Sequence, residues 1–128
     1  MAMLADVHFE DRAGQPVARI RGEVDMSNVG ELTTGLQSSV DQTAAGLVVD
    51  FSQTEYLDSA GLHFIFDLGK RLRDRGQRLY LVVPPGSPVG SVLEIVNVDL
   101  LAPRCETLEA AIERLTAHAA DVPPPAAL

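Results

Sequence analysis

Two spacings of apolar residues alternate along the chain. Val7 to Arg12 and Val17 to Gly22 are short, partly alternating segments on either side of Ala13-Gly14-Gln15-Pro16, which predicts a hairpin-like pair of strands with a turn between them. From Asn28 the spacing changes. Val29, Leu32, Leu36 and Val40 recur at three- and four-residue intervals, one face of an amphipathic helix. Ser27 or Asn28 stands where a cap is needed, and Glu31 lies in the first turn, where negative charge is favoured. Gly46 to Phe51 is a continuous apolar run, the signature of a strand buried on both faces of a sheet. After a polar interval, Tyr56 to Gly61 leads into a second helical stripe of Leu62, Ile65, Leu68 or Gly69, and Leu72, with Gly76 as its stop. Arg78 to Val83 reads as another strand, ended by Pro84-Pro85-Gly86. A helix from about Ser87 to Val98 follows, with Val89, Val92, Leu93 and Val96 as its apolar face. Leu100 and Leu101 are expected to form a short last strand before Pro103. Thr107 to His118 completes the pattern as a helix capped by Thr107, with Leu108, Ala111, Ile112 and Leu115 inward.

Strands alternating with helices predict an α/β domain: a mixed, mainly parallel sheet of four to five strands with about four helices. The pattern covers residues 5–118 as one domain without internal repeats. Residues 119–128, ending in a Pro/Ala-rich stretch, are expected to be a disordered tail.

Composition narrows the classes of function. A chain of 128 residues suits one domain, and 46% hydrophobic with 22% charged residues is globular. The net charge of −8 opposes binding to phosphate backbones or anionic membranes, so neither nucleic acid nor a bilayer is an expected partner. No apolar run approaches the ~20 residues of a spanning helix. The start, MAMLADVHFEDR, lacks the basic and apolar regions of a secretory signal, and a cytoplasmic protein is expected. A single cysteine, Cys105, excludes an internal disulfide and a multi-cysteine zinc site. The charge is uneven. Residues 1–60 hold three basic and ten acidic residues, a net of −7, whereas residues 61–78 reach +3 through Lys70, Arg71, Arg73, Arg75 and Arg78. That basic run reads as the solvated last turn of a helix, where cations are favoured.

Templates for catalysis fail on specifics. Leu57-Asp58-Ser59-Ala60-Gly61 lacks the first glycine of a nucleophile elbow, and nothing in the sequence supplies the orienting acid or oxyanion hole that Ser59 and His63 would need. Gly69-Lys70 is followed by Arg71 instead of the Ser or Thr of a phosphate loop. His8, His63 and His118 lack metal-ligand spacing. A binding protein without cofactor or metal is expected, and not an enzyme.

What remains is Asp50 to Leu62, running from a strand end into a helix start. Asp58 or Ser59 suits an N-cap, worth on the order of 1 kcal/mol. A phosphoryl group on Ser59 would add roughly −1.5 to −2 charges beside the positive end of the helix, which tolerates it. It would also meet Asp58, and Asp25 if the two loops converge.

Two motifs carry a resemblance over about residues 5–118. Gly22-Glu23-Val24-Asp25 is similar to the Gly-Glu-aliphatic-Asp motif of the STAS domains of anti-sigma factor antagonists. The longer Asp50-x-Ser52-x-Thr54-x-Tyr56-Leu57-Asp58-Ser59-x-Gly61-Leu62 resembles that family's signature around its regulatory serine. The resemblance implies that Ser59 is the phosphoacceptor for an anti-sigma factor that is a serine kinase, with Asp25 and Asp58 as acidic neighbours in recognition. ATP would be bound by that partner, and a separate serine phosphatase would reset the switch. Unphosphorylated, the domain would bind the kinase and free its sigma factor. Family members usually carry Ser or Thr after the phosphoacceptor; Ala60 stands there, without a hydroxyl to cap the helix or bind the phosphate. Gly61, His63, Phe64 and Asp67, on the first turns of the helix, are candidate contact residues. Phe64 and Phe66 cannot both face the core with Ile65, so either at least one is an exposed aromatic anchor or both pack under neighbouring loops. A monomer is expected of an adaptor that must release its partner. Two other readings remain open: a scaffold or assembly subunit without a phosphoswitch, and a small-ligand or nucleotide sensor using the polar loops beside Ser59.

Overall fold

In the third strand, alternation of side chains decides the layering. Leu47, Val49 and Phe51 join one core and Val48 joins a second, because successive side chains leave a strand on opposite faces. The computed structural model describes residues 6–95 and 101–121. In chain order it contains β1 (Asp6–Arg12), β2 (Gln15–Val24), α1 (Val29–Ser39), β3 (Gly46–Leu57), α2 (Ser59–Asp74), β4 (Arg78–Val82), α3 (Pro88–Ile95), β5 (Arg104–Cys105) and α4 (Leu108–Asp121). The sheet order is β1-β2-β3-β4-β5, antiparallel between β1 and β2 and parallel thereafter. This is the mixed, mainly parallel α/β domain that the apolar spacing predicts.

Helices α1, α2 and α3 cover one face of the sheet. Leu32, Leu36, Ile65, Leu68, Leu72, Val89 and Leu93 pack there on Ala18, Ile20, Val49 and Phe51. α4 covers the other face, where Leu108, Ala111 and Leu115 meet Val17, Val48, Tyr80 and Val82. A sheet buried on both faces explains the unbroken apolar run of Gly46 to Phe51. Among the described residues, no helix is long and apolar enough to cross a membrane.

Several expectations need correction. The hairpin turn is only Ala13-Gly14, both at positive φ as a two-residue turn requires; Gln15 and Pro16 already belong to β2. β3 does not end at Phe51 but runs to Leu57, because its second half pairs with β2 beyond the reach of β4. Ser52, Gln53, Glu55 and Tyr56 face solvent there, while Thr54 and Leu57 are buried. The last strand is Arg104–Cys105, not Leu100–Leu101: Leu101 lies in a turn, and Leu100 is outside the described residues. α4 continues through Asp121, past the expected boundary at 118, and the rest of the tail is outside the described residues.

The two motifs meet through a distortion of the β2–β3 ladder. Its register shifts between Arg19 and Arg21 and again between Gly22 and Glu23. Gly22 has φ +100°, a conformation that side-chain-bearing residues rarely adopt. The buried hydroxyl of Thr54 donates to the Ile20 carbonyl at 2.6 Å, satisfying an oxygen beside the first shift. The bulged strands carry Val24 opposite Leu57, so both motifs end at the same edge of the sheet.

Candidate functional site

Each loop at that edge is fixed by its own polar side chains. In the first, Asn28 is 4% exposed; its Oδ1 accepts from the Asp25 amide at 3.0 Å and its Nδ2 donates to the Glu23 carbonyl at 2.8 Å. Asn28 is the N-cap position of α1 but makes no side-chain cap, since its amide is committed to the loop behind it. The Asp25 carboxylate turns inward on its loop, accepting from the Ser27 amide at 2.9 Å and from the Ser27 hydroxyl. The Asp25 carbonyl accepts from the Asn28 and Val29 amides and leads the chain into α1.

In the second loop Asp58, not Ser59, is the cap. Its Oδ1 accepts from the Gly61 amide at 3.0 Å, satisfying one of the unpaired donors at the start of α2. The Asp58 amide donates to the Val24 carbonyl at 3.3 Å. That bond ties the two loops together, so Asp25 and Asp58 each lie beside one of its two ends.

Ser59 follows as the first residue of α2, and it is exposed. The first turn of α2 holds no acidic residue, so the positive end of the helix is uncompensated except by the Asp58 cap. Ser59, His63 and Asp67 follow one another at four-residue spacing, all exposed. With Val29, Gly30 and Thr33 of α1 and with Phe64 they line a shallow groove of about 380 Å³ between the two helices. No hydrogen bond joins Ser59 to His63, and among the described residues no three His, Cys, Asp or Glu side chains converge as a metal-binding group.

Two of the expected contact residues, Gly61 and Phe64, are buried. Gly61 is buried, and a Cβ there would lie 2.4 Å from Leu57 Cδ1 and 2.8 Å from Leu57 Cγ; the glycine lets α2 sit tightly on the end of β3. Phe64 is 4% exposed, in the core with Ile65, and Phe66 is partly buried. Of the two alternatives, the one in which both phenylalanines are covered describes the fold, and neither is an exposed anchor. Among the exposed large apolar side chains, two flank the site: Met26, 79% exposed between Asp25 and Ser27, and Tyr56, 49% exposed two residues before Asp58; the sequence did not single them out. Their positions between the motif residues were the available signal, hidden because a lone Met or Tyr reads as core.

The STAS domain family model matches residues 6–111. Among curated proteins, BtrV of Bordetella bronchiseptica, named as an anti-sigma factor antagonist, is 29% identical over 99 residues, which span 77% of this chain and 84% of BtrV. Among solved structures, an anti-sigma factor antagonist from Mycobacterium paratuberculosis superposes with a TM-score of 0.73 at 24% identity, over 88% of this chain and 95% of that one. The Bacillus cell fate determinant SpoIIAA, solved in its phosphorylated form, superposes with a TM-score of 0.59 at 20% identity, over 86% of this chain and 99% of that one. With its sheet order, its two covered faces and a family match over most of its length, the chain belongs to the STAS domain family.

Proposed function

We propose that this chain is an anti-sigma factor antagonist switched by phosphorylation at Ser59. The observation that carries the reading is the placement of Ser59: an exposed hydroxyl at the positive end of α2, beside the bond that joins the Asp25 and Asp58 loops. The name of BtrV and the existence of a phosphorylated form of SpoIIAA support it.

In the unphosphorylated state the domain docks an anti-sigma factor that is a serine kinase, displacing its sigma factor. Asp25 and Asp58 supply charge, His63 and Asp67 the polar rim, and Met26 and Tyr56 the apolar contact. The kinase then transfers the γ-phosphoryl group of its own ATP. A bond forms between Ser59 Oγ and phosphorus, the bond to the ADP oxygen breaks, and the hydroxyl proton leaves to a base on the kinase. The product fits its own domain, because the phosphate meets the unpaired amides of α2. It does not fit the interface, where close to two added charges stand beside Asp58 and lose hydration on docking. A coupling of ~3 kcal/mol already weakens binding more than a hundredfold. A serine phosphatase restores the hydroxyl. The domain is then a substrate and a binding module, and no catalytic group of its own is used.

Incubation with the anti-sigma kinase of the same genome and ATP, followed by peptide mass spectrometry, tests this. Phosphate is expected on Ser59 and on no residue of Ser59→Ala. Labelling elsewhere, or unchanged labelling of the variant, would refute the assignment.

A further inference from the structure

The basic residues of the run 70–78 are all exposed, and part of the run borders a cleft. Lys70, Arg71 and Arg75 do not line it, whereas Arg73 at the end of α2 and Arg78 at the start of β4 do. Arg114 and His118 of α4 line it from the other side, and the cleft measures about 420 Å³. Among the described residues, no Asp or Glu lines it and none of the three arginines makes an ion pair with a carboxylate. In a chain of net charge −8 with 18 acidic residues, three guanidinium groups around one cavity are a local inversion of the field.

The cleft is built on a fixed frame. Gln77, 3% exposed, forms part of its wall, and its Nε2 donates to the Asp41 carbonyl at 2.8 Å and the Ala44 carbonyl at 3.0 Å. The Arg114 guanidinium lies over the Tyr80 ring, 4.9 Å from its centre, and donates to Cys105 Sγ at 3.8 Å, so its fork is held in place. His118 Nε2 lies 3.3 Å from the Gly76 carbonyl, which that nitrogen reaches as a donor. The site is separate from Ser59, at the other end of α2, about 21 Å away along the helix by its rise per residue.

We infer that this cleft binds a small polyanion carrying two or more phosphate or carboxylate groups. Planar guanidinium forks pair with such oxygens two at a time, and a cavity of this size takes a small molecule. Three chain segments, 73–80, 101–103 and 114–118, wall it, which suits a compact ligand better than an extended acidic peptide.

The test is calorimetric titration of the full chain with tripolyphosphate, citrate and hexaglutamate, with folding of each variant checked by circular dichroism. One molecule of tripolyphosphate or citrate is expected per chain; whichever binds more tightly names the phosphate or the carboxylate as the ligand chemistry. The double variant Arg73→Ala/Arg78→Ala should weaken binding by roughly a hundredfold, because each lost charge-assisted fork is worth about a factor of ten or more. Lys70→Ala/Arg71→Ala removes the same charge outside the cleft and should change affinity by less than about threefold, as distant exposed charges do. Equal losses in the two double variants would overturn the site as mere charge attraction. So would an absence of binding at millimolar ligand, or tighter binding of hexaglutamate than of either small anion.

Discussion

Replacing Gly61 with Ala should destabilise the domain although it places a better helix former in a helix. The added Cβ would lie 2.4 Å from Leu57 Cδ1, 2.8 Å from Leu57 Cγ and 3.3 Å from Val24 Cγ1. Carbon atoms in ordinary contact stand about 3.5–4.0 Å apart, so Leu57 must retreat by roughly 1 Å or α2 must lift. Leu57 is 2% exposed and Val24 fully buried, which leaves little free volume for the retreat. Overpacking of this kind costs about 1–3 kcal/mol. Against it, alanine gains up to ~1 kcal/mol over glycine in a helix, part of it by restricting the unfolded chain. The net expectation is a loss of ~1–2 kcal/mol, or a fall in Tm of about 4–8 °C for a domain of this size. Urea or thermal denaturation measures it. The double variant Leu57→Ala/Gly61→Ala should be less destabilised than the two single changes summed, because removing the isobutyl group makes room for the new methyl. An unchanged or raised Tm in Gly61→Ala would refute the reasoning, and additive single changes would remove Leu57 as the cause.

Other expected outcomes follow from the same geometry. Asp58→Ala should lose ~1 kcal/mol with the cap on Gly61, whereas Asp58→Ser keeps a capping oxygen and should retain nearly the wild-type Tm while still altering partner affinity; equal Tm losses in thermal melts would contradict the capping role. Met26→Ala and Tyr56→Ala should leave stability within ~0.5 kcal/mol, being exposed, yet each should weaken the complex with the anti-sigma partner by about tenfold in calorimetry. The Asp41 carboxyl is held below its ordinary 3.8 by the Thr43 amide and then the Thr43 hydroxyl, with a small opposing effect of burial. A lowered carboxyl contributes stability above its unfolded value that fades as pH falls through the folded one. A carbon-detected NMR titration should therefore place Asp41 below 3.8, and Thr43→Val should move it back toward that value; no movement would contradict the hydroxyl's part.

The helices were legible because each buries one stripe. Leu32 and Leu36, or Ile65, Leu68 and Leu72, recur at the helical period and are all buried on the same face of the sheet. β3 was legible only where β2 and β4 both flank it. Beyond Phe51 it is an edge-like projection paired with β2 alone, so exposed Ser52, Gln53, Glu55 and Tyr56 hide the strand behind a polar pattern. Arg104–Cys105 is too short to show any period and is placed by its pairing with Leu81 and Val82. At the site, Ser59, Asp25 and Asp58 were identifiable from their motifs, because a cap and a turn leave local signals. Why glycines occupy 22 and 61 was not identifiable. Those reasons lie across the fold, in a ladder shift against β3 and in the side chains of Leu57 and Val24. Helical position alone did not decide which aromatic beside Ile65 would be covered, because both faces of α2 that flank Ile65 meet other elements.

The most direct test of the phosphoswitch is the affinity of the anti-sigma kinase for this chain with and without phosphate on Ser59, measured by titration calorimetry with a nonhydrolysable ATP analogue to hold the state fixed. The unphosphorylated chain and Ser59→Ala should bind alike, and the phosphorylated chain about a hundredfold or more weaker, with Ser59→Asp weakened in the same direction. Equal affinities for the two phosphorylation states would contradict a switch at Ser59.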